Sequence, residues 1–172
     1  GNIDELYNRL SKIVAKIPKY NFEYLFVDNA SSDDSVKKIK QIAKKNKKVK
    51  LIVNARNFGS ERSHMHGLKQ VSSDACIQLV SDLQDPPEVI TDLVKRWEEG
   101  FKIVILVRKE TEGSQFMFSL RKFYYRLLTK ISEVSPIENT TGTGLIDSDV
   151  VNYFKDTSDP IPFLRGALVE IG

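Results

Sequence analysis

Cysteine is almost absent from this chain. Cys76 is the only one in 172 residues, which excludes an internal disulfide and fits a reducing compartment. Histidine is scarce as well, with two. His64 and His66 stand two apart, a spacing that does not share a helical face, and they are read as non-ligands. Charge of one sign is not in excess: the formal net charge is +3, too small to argue a nucleic-acid partner. No run approaches the roughly 20 apolar residues of a membrane span, and no signal-peptide pattern is visible. No Gly-x-Gly-x-x-Gly follows an apolar run, which disfavours a dinucleotide-dependent dehydrogenase. No repeat or low-complexity linker divides the chain, so residues 1–172 are expected to form one domain.

What is present describes an ordinary globular core. Hydrophobic residues make up 41% and charged residues 28%, enough to fill one sizeable interior. Ile3, Leu6, Leu10, Ile13, Val14 and Ile17 recur at helical spacing before Pro18. Phe22 to Val27 is an apolar strand that closes on Asp28-Asn29-Ala30-Ser31-Ser32-Asp33-Asp34. Ser31 or Ser32 there can cap a helix whose first turn carries Asp33 and Asp34. Val49 to Val53 is a second strand, and Gly59 permits a sharp turn into a helix through Leu68. Ala75 to Val80 is a third, followed by a helix with Ile90, Leu93, Val94 and Trp97. Lys102 to Val107 is a fourth. Strands alternating with helices imply a mainly parallel sheet with helices on both faces, its acidic strand exits on one edge.

Two further stretches keep two readings each. Eight lysines between Lys37 and Lys50 lie on one helix and its exit, as a solvated face or as an attraction to anionic membrane. Around Phe116, Phe118, Phe123, Tyr124 and Ile131 an aromatic helix carries Arg121, Lys122, Arg126 and Lys130. It is either a core element or a membrane-surface helix near a lipid acceptor.

The most informative stretch is Gln78 to Glu88. An apolar strand ends in Asp82, Gln84 and Asp85, and Pro86-Pro87 then rules out further ladder bonding. In open α/β sheets ligands sit beyond the carboxyl ends of strands. Hard oxygen donors there suit Mg²⁺ or Mn²⁺ held with substrate phosphates. An acidic turn capping a helix is the plain alternative.

These landmarks resemble those of family 2 glycosyltransferases of GT-A fold, near the bacterial polyprenyl-phosphate and dolichyl-phosphate sugar transferases. Asp82-Leu83-Gln84-Asp85-Pro86-Pro87-Glu88 matches a family motif residue by residue. Phe26 to Asp33 resembles the nucleotide-binding Val-Asp-Asp-Gly-Ser-x-Asp, and Asn57-Phe58-Gly59 matches a helix entry. Thr140 to Asp147 and Phe163-Leu164-Arg165-Gly166 resemble two later segments.

The resemblance implies an inverting, metal-dependent transferase. It would move sugar from a nucleotide-diphosphate sugar to a lipid phosphate, such as polyprenyl phosphate, or to a saccharide. It implies Asp82 as the Mg²⁺ or Mn²⁺ ligand, with Gln84 supporting the metal–phosphate geometry. Asp28 and Asn29 would face the nucleoside, with Arg56 nearby. Arg165 and Arg121 would meet diphosphate or an anionic acceptor, or else form surface ion pairs. Asp85 is the candidate base for a hydroxyl acceptor. The implied setting is the cytoplasmic face of a bacterial membrane, in cell-envelope polysaccharide synthesis.

Departures from the pattern support a rival reading, a catalytically impaired relative that binds without turnover. Val80 replaces the first aspartate of Asp-x-Asp, and Asn29 the second acid of the nucleotide motif. The polyprenyl-phosphate branch carries an aspartate in Gly-Asp-Phe-Arg, and the comparable segment here, Thr141-Gly142-Thr143-Gly144, has no carboxylate. The family's first strand, with its nucleotide loop, is not found before Gly1. The sequence is therefore expected to be a piece of a longer protein with a C-terminal membrane anchor.

Overall fold

The structure is a computed structural model and describes residues 2–108, 139–157 and 164–171. The helix expected over 116–131, Arg121 within it, lies outside the described residues.

Helix α1 (Ile3–Val14) forms because Ile3, Leu6, Leu10 and Ile13 make one buried stripe. It stops before the expected Ile17. Pro18 disfavours helical backbone at the residue before it, and Lys16 and Ile17 donate three residues back in a tightened last turn. Strand β1 (Tyr24–Asp28) pairs in parallel with β2 (Val49–Val53), in register from Tyr24 opposite Val49 to Asp28 opposite Val53. Helix α2 (Ser35–Lys45) connects them and buries Ile39. It begins later than the serines suggested. Ala30 takes a left-handed φ of 63°, and the Asp33 carboxylate accepts the Ser35 N–H at 3.0 Å. Of the clustered lysines, Lys38 meets Asp4 at 2.9 Å and Lys50 meets Glu23 at 2.7 Å.

Helix α3 (Ser60–Lys69) precedes β3 (Ala75–Gln78). A short 3₁₀ turn, Pro87–Val89, leads into α4 (Ile90–Glu98), and β4 (Ile103–Val107) follows. Strand β5 (Thr140–Asp147) lies between β3 and β4, antiparallel to both. Helices α5 (Ser148–Asp156) and α6 (Leu164–Ile171) complete the described chain.

The α/β expectation holds, with one addition. Strands β1 and β2 are parallel, but β5 inserts an antiparallel strand into the second sheet, whose order is β3-β5-β4. Successive residues of a strand face opposite sides, and β5 shows the consequence. Leu145 packs with Leu6, Leu10 and Ile13 of α1 and Ile90, Leu93 and Val94 of α4. Ile146 packs on the other side with Met65, Leu68, Val150, Val151 and Phe154, joined by Leu164 and Leu168 of α6. Helices therefore cover both faces. Fully burying one such side chain contributes about 1.5–3 kcal/mol, and Phe154, Leu145 and Val151 are each 1–2% exposed. Gly144 lets β5 approach β4: a Cβ there would lie 2.6 Å from the Val104 carbonyl oxygen.

Candidate functional site

Two groups of polar residues form where strands end. The first joins the exits of β1 and β2. Asp28 is buried, and its Oδ2 accepts the Ser31 N–H at 3.0 Å, closing the turn at Ala30. Asn29 reaches across to the loop after β2. Its Oδ1 accepts from Phe58 N–H at 3.0 Å and from Asn54 Nδ2 at 3.2 Å. Its Nδ2 donates to Asn57 Oδ1 at 2.8 Å and to the Gly59 carbonyl at 3.3 Å. A primary amide has two donors and two lone pairs, so the protein itself fills Asn29's capacity. Asn29 thereby ties the β1 exit to the 54–59 loop. Gly59, with φ of 84°, supplies the backbone reversal into α3 that a side chain would strain. Arg56 stacks its guanidinium 4.4 Å above the Phe58 ring and stays exposed.

Behind this loop Asn54 is buried, donating to Ser63 Oγ at 2.9 Å and meeting His66 Nδ1 at 3.1 Å. Asn54 and His66 line an open cleft of about 390 Å³ with Val53, Ala55, Phe58 and Arg62. None of the acids after β3 lines that cleft.

The second group joins the exits of β3 and β4. Beyond β3 the chain turns at Leu83, whose φ of 60° is left-handed and costs roughly 1–2 kcal/mol for an L-residue. That turn places Asp82 and Gln84 side by side, the Gln84 N–H donating to Asp82 Oδ1 at 3.0 Å. Asp82 remains exposed. Asp85 is buried, 6% exposed, and has both oxygens engaged. Its Oδ1 takes Arg108 Nε at 3.1 Å and Nη2 at 2.8 Å, and its Oδ2 takes the Thr143 hydroxyl at 2.7 Å. Burial alone would push this carboxyl up. Hydrogen bonds from Thr143, Thr141 and Arg108 outweigh it and hold the group below the ordinary carboxylate range. Pro87 then opens the 3₁₀ turn. Arg9 of α1 grips Glu88 through two contacts, Nε to Oε1 at 3.1 Å and Nη2 to Oε2 at 2.5 Å.

The donors after β3 fit a cation shared with substrate rather than a cage built by the protein alone. Among the described residues no group of three or more His, Cys, Asp or Glu converges. Asp82 offers an exposed carboxylate, and Gln84, two residues on, an exposed amide whose Oε1 lies 3.5 Å from the Arg108 guanidinium. Mg²⁺ is commonly held by one or two carboxylates together with substrate phosphates and water.

The structure thus brings Asp28, Asn29 and Arg56 into one group and Asp82, Gln84 and Asp85 into another. Arg165 lies on α6, but its side chain is outside the described residues. Sequence reading missed Arg108, Thr143, Asn54 and Ser63. Arg108 carried one signal, a basic residue at a strand exit opposite an acidic one. Cys76 is inert: burial pushes its thiol up to about 11, so little thiolate exists at neutral pH.

The sequence profile described as Glycosyl transferase family 2 matches residues 2–155. An uncharacterized glycosyltransferase of Synechocystis sp. is 30% identical over 172 residues, 99% of this chain and 54% of that protein. The uncharacterized glycosyltransferase YkcC of Bacillus subtilis is 31% identical over 171 residues, 99% of this chain and 53% of its own length. A prophage bactoprenol glucosyl transferase homolog of Escherichia coli is 31% identical over 159 residues, 91% of this chain and 52% of that protein. The chain spans about half the length of the curated relatives it matches.

Proposed function

The chain belongs to glycosyl transferase family 2 and has its GT-A fold, and on that premise we propose that its protein moves a sugar from a nucleotide-diphosphate sugar to a polyprenyl phosphate with inversion. The observation that carries this reading is the turn at the β3 exit, where the exposed Asp82 carboxylate accepts the Gln84 N–H. The bactoprenol transferases among the relatives support a lipid phosphate as acceptor. In the same reading the protein works at the inner face of a bacterial membrane, in cell-envelope polysaccharide synthesis. No helix among the described residues is long and apolar enough to cross a membrane.

In this reading an acceptor oxygen attacks the anomeric carbon from the side opposite the diphosphate. One C–O bond forms, the bond to the departing nucleoside diphosphate breaks, and the configuration inverts. Asp82 and Gln84 would hold a bound Mg²⁺ or Mn²⁺, which neutralises charge developing on the leaving diphosphate. Asp28, at the end of β1, and Arg56, on the loop that Asn29 pins, border the nucleoside. Arg121 and Arg165 remain candidates for the diphosphate or the acceptor phosphate. A phosphate acceptor needs little help from a base, because the second pKa of a phosphomonoester is about 6. That fits Asp85, whose contacts with Arg108 and Thr143 hold it ionised and make it a weak base.

Asp82→Ala tests the reading. The Mn²⁺-dependent affinity for the best-binding of UDP, GDP, CDP and ADP should fall at least roughly tenfold, about 1.4 kcal/mol. The melting midpoint should barely move, since exposed substitutions usually stay within about 0.5 kcal/mol. Unchanged binding with metal present, or an unfolded variant, would defeat the assignment. Val80 at the first position of the family's Asp-x-Asp favours a second reading, a relative that binds nucleotide sugar without turnover. That protein would bind as well as an active enzyme and transfer nothing.

A further inference from the structure

We propose that Asp85 is a positioning residue which, together with Thr143, clamps Arg108 so that the free edge of its guanidinium faces the Asp82–Gln84 turn and takes a phosphate-bearing anion. The inference rests on the glycosyltransferase reading above and assigns the charge that receives the phosphate.

The pair is built asymmetrically. Asp85 is 6% exposed while the Arg108 side chain is 44% exposed, so the acid sits inside and the base at the mouth. An ion pair that only stabilised the core would bury both partners. One that only decorated the surface would expose both and contribute about 0–1 kcal/mol. Here the acid is fixed first. Thr143 is 1% exposed on β5, and it stands two residues before Leu145, hence on the same side of the strand. That side faces α1 and α4, the layer in which Leu83 and Val89, on either side of Asp85, also pack. The hydroxyl meets Asp85 Oδ2 at 2.7 Å, a charge-assisted contact that prevents the carboxylate from rotating.

The fixed carboxylate then orients the arginine. Nε and one Nη2 hydrogen go to Asp85 Oδ1. The outer edge of the guanidinium lies 3.5 Å from Gln84 Oε1 through both Nη1 and Nη2, too long for a strong bond. Donors therefore remain beside the residue proposed to face metal and diphosphate. Planar guanidinium donors suit phosphate oxygens, and fixing them beforehand removes ordering cost when the anion binds. Arg108 also neutralises Asp85, so the β3 exit does not present two uncompensated carboxylates to a diphosphate.

The anion is either the donor's diphosphate or the acceptor's phosphate, and three measurements on the full-length protein separate these. The first follows the Arg108 Nε–H signal by ¹H–¹⁵N NMR. It should be protected from exchange in the wild type, lost in Asp85→Asn and Thr143→Val, and kept in Thr143→Ser. The second is calorimetric affinity for the best-binding nucleoside diphosphate with Mn²⁺. The third is affinity for farnesyl phosphate.

Thr143→Val should weaken one of these anions roughly tenfold, the scale of one impaired charge-assisted contact. Thr143→Ser should stay near wild type. A loss confined to the nucleoside diphosphate assigns Arg108 to the donor, and one confined to farnesyl phosphate assigns it to the acceptor. Lost protection with both affinities unchanged would overturn the proposal and show a purely structural tie, as would protection that survives Asp85→Asn. Should Asp85→Asn fail to fold, Thr143→Val still decides, because it removes one hydroxyl at constant shape. A wild-type protein that binds neither anion would instead defeat the glycosyltransferase reading itself.

Discussion

Asp147 ends β5 and caps α5, and each of its carboxylate oxygens has its own use. Oδ1 accepts the Asp149 N–H at 3.0 Å, the capping contact, and Oδ2 accepts the Trp97 indole N–H at 2.7 Å. Burial alone would push this carboxyl up. The Trp97 and Asp149 hydrogen bonds, with Lys102 nearby, outweigh it and hold the group below its ordinary value. A depressed folded-state pKa means the unfolded chain binds more protons at acid pH. The stabilisation is therefore full above the unfolded value of about 3.9 and is lost as pH falls through the folded one. Asp85 has the same sign. Asp147→Ala is predicted to cost roughly 1–3 kcal/mol at neutral pH, the scale of stranding a half-buried donor and removing a cap. A urea midpoint measured at pH 7 checks this, and below pH 4 the gap between variant and wild type should narrow. Asp28 and Asp82 were legible in sequence because acids that end apolar runs stand out by position. Arg108 was not, because its meaning depends on Asp85, 23 positions away in the chain, and on a strand that was not foreseen.

That strand is β5. Its start, Thr140-Thr141-Gly142-Thr143-Gly144, carries two glycines where β-branched or aromatic residues normally announce a strand. Only its packing explains them. Gly142 has a φ of 88° near the register shift between Ile105 and Val107, and Gly144 sits against the β4 backbone. Gly144→Ala is expected to destabilise the domain by roughly 1–3 kcal/mol, because the obstructing atom is a backbone oxygen that cannot rotate away. A shifted urea midpoint with retained far-UV circular dichroism would support this, and an unchanged midpoint would contradict the close approach. The other strands and the stripes of α1 and α4 were readable because their apolar spacing is regular. Helix ends were less so: α2 starts at Ser35 because the Ala30 turn and Asp33 decide it, not the serines that look like caps.

At the scale of the molecule, two helical layers hold the sheet strands so that polar groups gather where β1, β2, β3 and β4 end. One layer includes α1 and α4, the other α3, α5 and α6. The first strand-exit group is organised by Asn29, the second by Asp85, and both amino acids are spent on holding loops. What they leave exposed is Arg56, Asp82 and the edge of Arg108. Those are the groups that the proposed nucleotide-sugar donor is expected to meet. The most direct test uses the full-length protein with UDP-, GDP- and CDP-linked sugars, Mn²⁺ and a polyprenyl phosphate, reading the lipid-linked sugar and its anomeric configuration. The account predicts transfer from one of these donors with inversion, abolished by chelating the metal. Tight donor binding with no product from any donor, or product of retained configuration, would contradict it.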